Sequence, residues 1–329
     1  MGKKLTVTLG DIDQKMVNVL SEVNSNNYLK YRNEFNRASN FTERYNYPVH
    51  VDIELSNLCN YSCAFCVQGM KPKPEFYKKK KQLEKKTVLN ILDQCSMIGV
   101  KSVQFNGQDE PTIYPDLVKI IQHASSKGFD DIYFNTNGSK LTGSMSQKLV
   151  DAGLTKIQIS IDAFSQATYT LVRKKETYEK IVANILDLVK IRDNSKSKLP
   201  LVRVSFVINE LNKHEAEDFK KFWLDNVDFV AMQNLINIHN EDAPLIPNAE
   251  EVRCNMPYLR VMIKADGSVK TCCTSYGDQL DSFGNIHNED IQKIWNSDKF
   301  RNFQSLHKDY RWQENDVCRK CINSTVFYE

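Results

Sequence analysis

No stretch of this 329-residue chain approaches the run of about 18 apolar residues that a membrane helix requires. The mean hydropathy, −0.48, agrees with that. The opening Met1-Gly2-Lys3-Lys4-Leu5-Thr6 leads into no apolar signal region. It fits an N-myristoylation pattern formally, but so short a match arises easily by chance. Charge of one sign is also scarce. The 44 Lys and Arg against 41 Asp and Glu leave a net +3, too little to imply nucleic acid. These absences point to a cytoplasmic protein with neither a membrane nor a nucleic-acid partner. The length suits one large domain, or one domain plus a small one. Nine cysteines are present, and in a reducing compartment their clustering favours metal or catalytic use over disulfides.

The densest cluster is Cys59-Asn-Tyr-Ser-Cys63-Ala-Phe-Cys66, a C-x3-C-x2-C run. Three thiolates so spaced can hold three irons of a [4Fe–4S] cube, whose usual complement is four Cys. The fourth iron then stays open for another ligand, which suggests a reaction rather than electron storage. Structural zinc fits poorly, because it takes four ligands, usually in C-x2-4-C pairs. The pattern resembles the radical S-adenosylmethionine (radical SAM) superfamily. That resemblance implies a cluster that binds SAM at its open iron and, once reduced, releases a 5′-deoxyadenosyl radical. It also implies an electron donor such as flavodoxin or ferredoxin.

From Tyr47 to about Asn240, β-branched runs alternate with helical stretches. The runs are Val49–Leu55, Ser102–Asn106, Asp131–Asn135, Lys156–Ile161, Val202–Ile208 and Phe229–Gln233. The pattern predicts helices over Thr87–Ile98, Asp116–Ser126, Ser144–Asp151, Thr177–Arg192 and Lys213–Trp223. Repeated strand–helix units imply an α/β fold with a parallel sheet and right-handed crossovers. The resemblance specifies a partial (β/α)6 TIM-like barrel with its site at the C-terminal ends of the strands. Alternation puts Asp52 with Glu54, Gln104 with Asn106, Tyr133 with Asn135, Gln158 with Ser160 and Asp162, and Arg203 with Ser205 and Asn209 on one face. A polar inner face predicts a water-filled lumen, and makes Glu54, Gln104, Tyr133 and Arg203 candidate substrate contacts. A helix over about Asp11–Asn40, with Met16, Val19, Leu20 and Val23 on one side, is expected to pack outside the core.

Further segments are similar to the superfamily's SAM contacts. Asn106-Gly107-Gln108-Asp109-Glu110-Pro111 resembles its "GGEP" turn, which receives the SAM amino group, with Gln108 and Asp109 where glycines stand. Asn137 lies in Thr136-Asn137-Gly138, like its "TNG" turn. Ser160-Ile161-Asp162 resembles its "S-[IL]-D" signature. By the resemblance Arg173 takes the SAM carboxylate, Asn209 the ribose or adenine edge, and Phe65 packs near the adenine.

A second cysteine set comprises Cys254, Cys272, Cys318 and Cys321. Leu259–Lys264 and Ser268–Cys272 read as a hairpin through Asp266-Gly267, followed by a helix bearing Ile291, Ile294, Trp295, Phe303 and Leu306. Cys254-x12-Gly267-x4-Cys272 is similar to the opening of a SPASM domain. With a single Cys318-x2-Cys321 after it, the set resembles a shortened "twitch" domain, spaced like that of 2-deoxy-scyllo-inosamine dehydrogenase. The resemblance implies an auxiliary [4Fe–4S] cluster, whereas the spacing alone leaves four-thiolate zinc open. Cys273 is spare, either a buried thiol or a hydrogen-atom donor, and Cys95 is a core residue. The expected organisation is a helical extension (1–46), a radical SAM core (47–240) and an auxiliary domain (241–329).

The lysine-rich run 71–81 reads as a solvated loop, or as a surface that attracts an acidic substrate. The expected reaction is hydrogen abstraction from a carbinol carbon of a sugar, aminosugar or cyclitol, by a dehydrogenase or epimerase. A maturase of ribosomally made peptides is the alternative enzyme, and a non-catalytic iron–sulfur or zinc protein the alternative class. The chain ends without the Gly-Arg-Arg tail of molybdopterin-precursor enzymes, which weighs against that reaction.

Overall fold

The structure, a computed structural model, describes residues 14–235, 252–272 and 281–326. Cys273 and the boundary expected at 240/241 lie outside the described residues. Helix α1 (Gln14–Ser39) leads into strand β1 (His50–Ile53), and a one-turn helix α2 (Glu75–Lys78) interrupts the long loop after it. Then α3 (Lys85–Ile98), β2 (Ser102–Phe105), α4 (Leu117–Ser126), β3 (Asp131–Thr136), α5 (Gly143–Asp151) and β4 (Lys156–Ser160) alternate. Two helices, α6 (Gln166–Arg173) and α7 (Tyr178–Asn194), precede β5 (Leu201–Ile208), and α8 (Ala216–Leu224) precedes β6 (Phe229–Asn234). The C-terminal part holds α9 (Met256–Leu259), β7 (Arg260–Ile263), β8 (Ser268–Lys270), β9 (Gly284–Asn285), α10 (Ile291–Trp295), α11 (Asp298–Lys308) and α12 (Asp316–Val326). No helix among the described residues is long and apolar enough to cross a membrane.

Strands β1 to β6 pair in chain order, all parallel, as six βα units require. The hairpin continues the same sheet. Strand β7 runs parallel to β1 on its other side, with Val51 beside Val261, and β8 and β9 follow antiparallel. The Asp266–Gly267 turn closes the hairpin as its sequence predicts. Gly267 has φ +81°, a left-handed conformation that an L side chain resists.

The outer face of the sheet is apolar. Val51, Val103, Ile132, Ile157 and Val204 are fully buried with α3 residues Ile91 and Leu92, α7 residues Ile181 and Ile185, and α8 residue Trp223. Each such side chain contributes about 1.5–3 kcal/mol of burial. Gly99, at φ +98°, stops α3 by donating to the Cys95 and Ser96 carbonyls.

Helix α1 differs from its expectation. Met16 and Leu20 do turn inward, with Tyr28 and Tyr31, but Val23 is exposed. The helix also does more than lie outside the core. It packs on Val49, Leu201, Phe229 and Leu259, where β1, β5, β6 and β7 begin, and so covers the floor of the barrel.

The polar side chains of the lower lumen are paired with one another. His50 lies 2.7 Å from Ser102 Oγ and 3.2 Å from Asp52, whose other oxygen accepts from Arg260 at 2.8 Å. Asp131 pairs with Lys156 at 2.7 Å. Lys156 in turn sits 4.0 Å over the Tyr133 ring. The predicted parity is right, but polar residues at this depth satisfy one another. A buried charge without a partner would be too costly.

Candidate active site

The three clustered cysteines lie in the loop leaving β1. Cys63 is buried, Cys59 and Cys66 are half-buried, and all three are free thiols. Burial, and then the charges of Glu110, Cys63 and Cys66, push the Cys59 thiol up to about 12. Burial also raises Cys66, and Cys63 adds to it. Cys59 and Cys66 therefore both feel Cys63, and an iron cluster would supply the positive centre that ionises such thiols. The donor set fits that cofactor. Around it, Tyr61 N donates to Cys59 Sγ at 3.4 Å, Arg173 Nη1 donates to Cys63 Sγ at 3.4 Å, and Cys66 Sγ faces Gln108 Oε1 at 3.8 Å.

The turns after β2 to β5 gather around this loop. Asn106 N donates to Ile53 O on β1. Gly107 has to be glycine, because a Cβ there would stand 2.3 Å from Glu54 Cγ. Gln108 N then donates to Glu54 Oε1 at 3.0 Å, and its carbonyl accepts from Gln68 Nε2. Asp109, in place of a glycine, turns its carboxyl inward toward Ser56 N. Burial, with Glu54 and Glu110 nearby, raises it well above the usual carboxylate range.

Glu110 corrects an expectation. Its carboxylate accepts from Thr112 N and Oγ1, Thr136 Oγ1 and Asn137 N. It is saturated, so it ties the second turn to the third instead of meeting an ammonium. Asn137 carries the link on, donating to Asn60 Oδ1 inside the cluster loop at 2.8 Å.

Asp162 is corrected similarly. Asp162 is fully buried at φ +59°, ion-paired with Arg173, and accepts from Val207 N at 2.7 Å. It holds β4 to β5 and has no oxygen directed to a cofactor. Arg173 also donates from Nε to Ile161 O. With Cys63 and Asp162, that occupies three of the five N–H groups of a guanidinium and leaves two for a SAM carboxylate. Its centre lies 5.7 Å from the ring of Phe65, which stands between Cys63 and Cys66. Ser160 meets Ser205 at 3.3 Å. Asn209 is half-buried in its own turn, donating to Val207 O and accepting from Leu211 N.

Two residues of this rim were not anticipated. Glu215 accepts from Phe164 N, Ser165 N, Ser165 Oγ and Thr168 Oγ1, clamping the start of α6. Asn212, fully buried, donates to Asp162 O and Val207 O. Both follow β5 and act on the distant segment after β4, which spacing within one segment does not reveal.

The candidate substrate residues divide. Glu54 is fully buried, paired with Lys264 at 2.7 Å and accepting from Ala265 N, so it is a structural brace and not a free contact. Gln104 donates to Asn135 Oδ1 at 3.3 Å. Tyr133 lies between Lys156 and His50. Arg203 is half-buried beside Gln158, and among the described residues no carboxylate pairs with it.

At the other end of the chain, Cys254, Cys272, Cys318 and Cys321 are half-buried free thiols. Burial raises Cys254 and Cys318, and each feels its neighbours, Cys318 feeling all three others. Among the described residues no three such side chains close on one point as ligands of a single ion would. His307, on α11, was missed. It is buried, and its Nε2 lies 3.5 Å from Cys318 Sγ. Burial pushes it down to about 4, so it is a neutral imidazole at neutral pH.

Known proteins share these features. The chain matches the family model described as the Radical SAM superfamily over residues 53–222. It matches the SPASM iron–sulfur cluster-binding domain over residues 254–322. A probable GTP 3′,8-cyclase of Methanothermobacter marburgensis is 30% identical over 53% of each chain, so the chain spans about half of that relative. A cofactor-modifying protein for tungsten-containing aldehyde ferredoxin oxidoreductase, from Pyrococcus furiosus, is 21% identical over 82% of this chain and 86% of its own. Among solved structures, anSMEcpe with AdoMet has a TM-score of 0.61 at 15% identity, covering 84% of this chain and 91% of that one. BtrN with AdoMet and 2-DOIA has a TM-score of 0.54 at 17% identity, covering 83% and 92%. These two likenesses concern the fold.

Proposed function

The chain belongs to the radical SAM superfamily, and from that premise we propose that it abstracts a hydrogen atom from a hydroxyl-bearing substrate held in the barrel lumen. Its cofactors are [4Fe–4S] clusters and SAM, and it acts on a small molecule with electrons from a reductant. When bound, these cofactors supply a 5′-deoxyadenosyl radical and a second redox centre. Cys59, Cys63 and Cys66 hold the catalytic cluster in this reading, and Cys254, Cys272, Cys318 and Cys321 the auxiliary one. Arg173 keeps two N–H groups for the SAM carboxylate, and Phe65 lies alongside. The expected units, 1–46, 47–240 and 241–329, stay as a working division, with β7 continuing the barrel sheet.

Arg203 carries the substrate reading. The lumen pairs Asp52 with Arg260, Asp131 with Lys156 and Glu54 with Lys264. Arg203, on β5, has no carboxylate partner among the described residues. Burial lowers its pKa, so an anion or electron-rich group on a ligand stabilises it. Gln104, Asn135, Gln158, Ser160 and Ser205 supply neutral hydrogen-bonding groups on the same lumen face. The substrate class is thus a sugar, aminosugar or cyclitol, and Arg203 favours one bearing a carboxylate or phosphate. Dehydrogenation removes the carbinol hydrogen atom, one proton and one electron, and the auxiliary cluster offers that electron a destination.

The test is anaerobic turnover of the reconstituted enzyme with candidate polyols in deuterated water. Net two-electron oxidation with no carbon-bound deuterium supports a dehydrogenase; deuterium on carbon indicates epimerisation. Arg203→Gln should raise KM for the turned-over polyol with little change in 5′-deoxyadenosine formed without substrate. An unchanged KM overturns the Arg203 assignment. A second reading follows from the Methanothermobacter relative, whose name specifies GTP, itself anionic and hydroxyl-rich. Conversion of GTP would move the proposal to ring closure.

A further inference from the structure

The long loop between the cluster cysteines and α3 is a basic strap. Residues 71–86, which run from this loop into the first two residues of α3, contain eight lysines and two glutamates, on a chain whose total charge is +3. The strap is fastened to the cluster loop. Asn57, two residues before Cys59, donates to Phe76 O at 2.9 Å and Lys79 O at 2.8 Å, and accepts from Lys81 N at 2.9 Å. The underside is apolar: Phe76 and Tyr77 are buried with Val67 against Cys66. Lys73 Nζ reaches Gln68, two residues past Cys66, at 3.2 Å.

Three of the lysines are neutralised, Lys78 by Glu75, Lys81 by Asp266 and Lys85 by Asp116. Lys71, Lys79, Lys80 and Lys86 are exposed, and among the described residues none pairs with a carboxylate. A merely solvated loop would have no need of an underside packed on a cluster cysteine. Here uncompensated positive charge lies on the outer face of the loop that holds Cys66. Such a field steers an acidic macromolecule to that spot.

We propose that this strap is the docking surface for an acidic single-electron carrier protein, and that the electron enters the SAM-binding cluster beneath it. The proposal rests on the cluster being held by Cys59, Cys63 and Cys66. The step balances simply. The carrier's reduced centre loses one electron, the cluster gains it, and no bond or proton is exchanged.

The test uses the reconstituted holoenzyme and a reduced acidic flavodoxin as probe. A variant with Lys71, Lys79, Lys80 and Lys86 all changed to Glu touches no side chain given a partner above. Stopped-flow oxidation of the flavodoxin by wild type should slow as salt rises. It should be about ten- to a hundredfold slower with the variant at low salt. Cluster reduction by dithionite, and the SAM cleavage it supports, should be unchanged. If flavodoxin oxidation is equally fast with the variant, the proposal is overturned. If instead KM for substrate rises in dithionite-driven turnover while flavodoxin oxidation stays fast, the strap serves an acidic substrate. Loss of iron from the wild type would count against the cluster assignment, separately from the docking surface.

Discussion

Glu110 and Asp109 are adjacent acids with opposite situations. Glu110 meets backbone N–H groups from two different turns, Thr112 N on one oxygen and Asn137 N on the other. Glu110→Gln can satisfy only one of them, and a buried unpaired donor costs about 1–3 kcal/mol. We expect a lower melting temperature and weaker SAM binding, checked by thermal melts and SAM titration of reconstituted protein. Burial, with Glu54 and Glu110 nearby, raises Asp109 well above the usual carboxylate range, so Asp109→Asn should melt like the wild type. His307 gives a second residue-scale prediction. As a neutral imidazole beside Cys318 it can donate to a cluster thiolate, and hydrogen bonds to sulfur help set cluster potential. His307→Phe should shift the auxiliary cluster to lower potential in an EPR-monitored redox titration, with the Cys59–Cys66 cluster unmoved. None of these three roles was legible in the sequence. Each depends on which distant residue lies opposite, and spacing along one segment does not carry that information.

Among the elements, strands and helices followed their patterns closely because periodicity reports local burial. The predicted run Ser102–Asn106 covers β2 and one residue beyond it, and Thr87–Ile98 lies within α3. Helix α6 escaped notice: Gln166–Arg173 is short and polar, and its start is fixed from outside by Glu215. Burial works against the Glu215 charge, but hydrogen bonds from Ser165, Phe164 N and Thr168 together hold its pKa below the ordinary 4.5. A depressed carboxyl adds stability above its unfolded pKa and loses it as pH falls through the folded value. The stability of wild type should therefore drop below about pH 4.5 more steeply than that of Glu215→Gln. Chemical denaturation of the two proteins between pH 3 and 6 checks the difference, and parallel curves would remove the role assigned to Glu215.

For the whole molecule, the decisive join is between the barrel and the C-terminal hairpin. Strand β7 extends the sheet beside β1, and Lys264 reaches Glu54 beneath the cluster rim. Lys264→Met leaves a buried carboxylate unpaired, at a cost of about 3–5 kcal/mol. The expected result is a marked fall in melting temperature, largely restored in the double variant with Glu54→Gln. The sequence alone determined the order of the βα units, the polar inner face and the family, because these depend on spacing and alternation within short segments. Only the tertiary structure decided which polar residues are spent on each other. Charges on neighbouring strands pair, β1 with β7 and β3 with β4, α1 covers the floor, and Arg203 has no carboxylate partner among the described residues. Such pairs join side chains 208 residues apart for Asp52 and Arg260 and 25 apart for Asp131 and Lys156, and folding alone brings them within hydrogen-bonding distance.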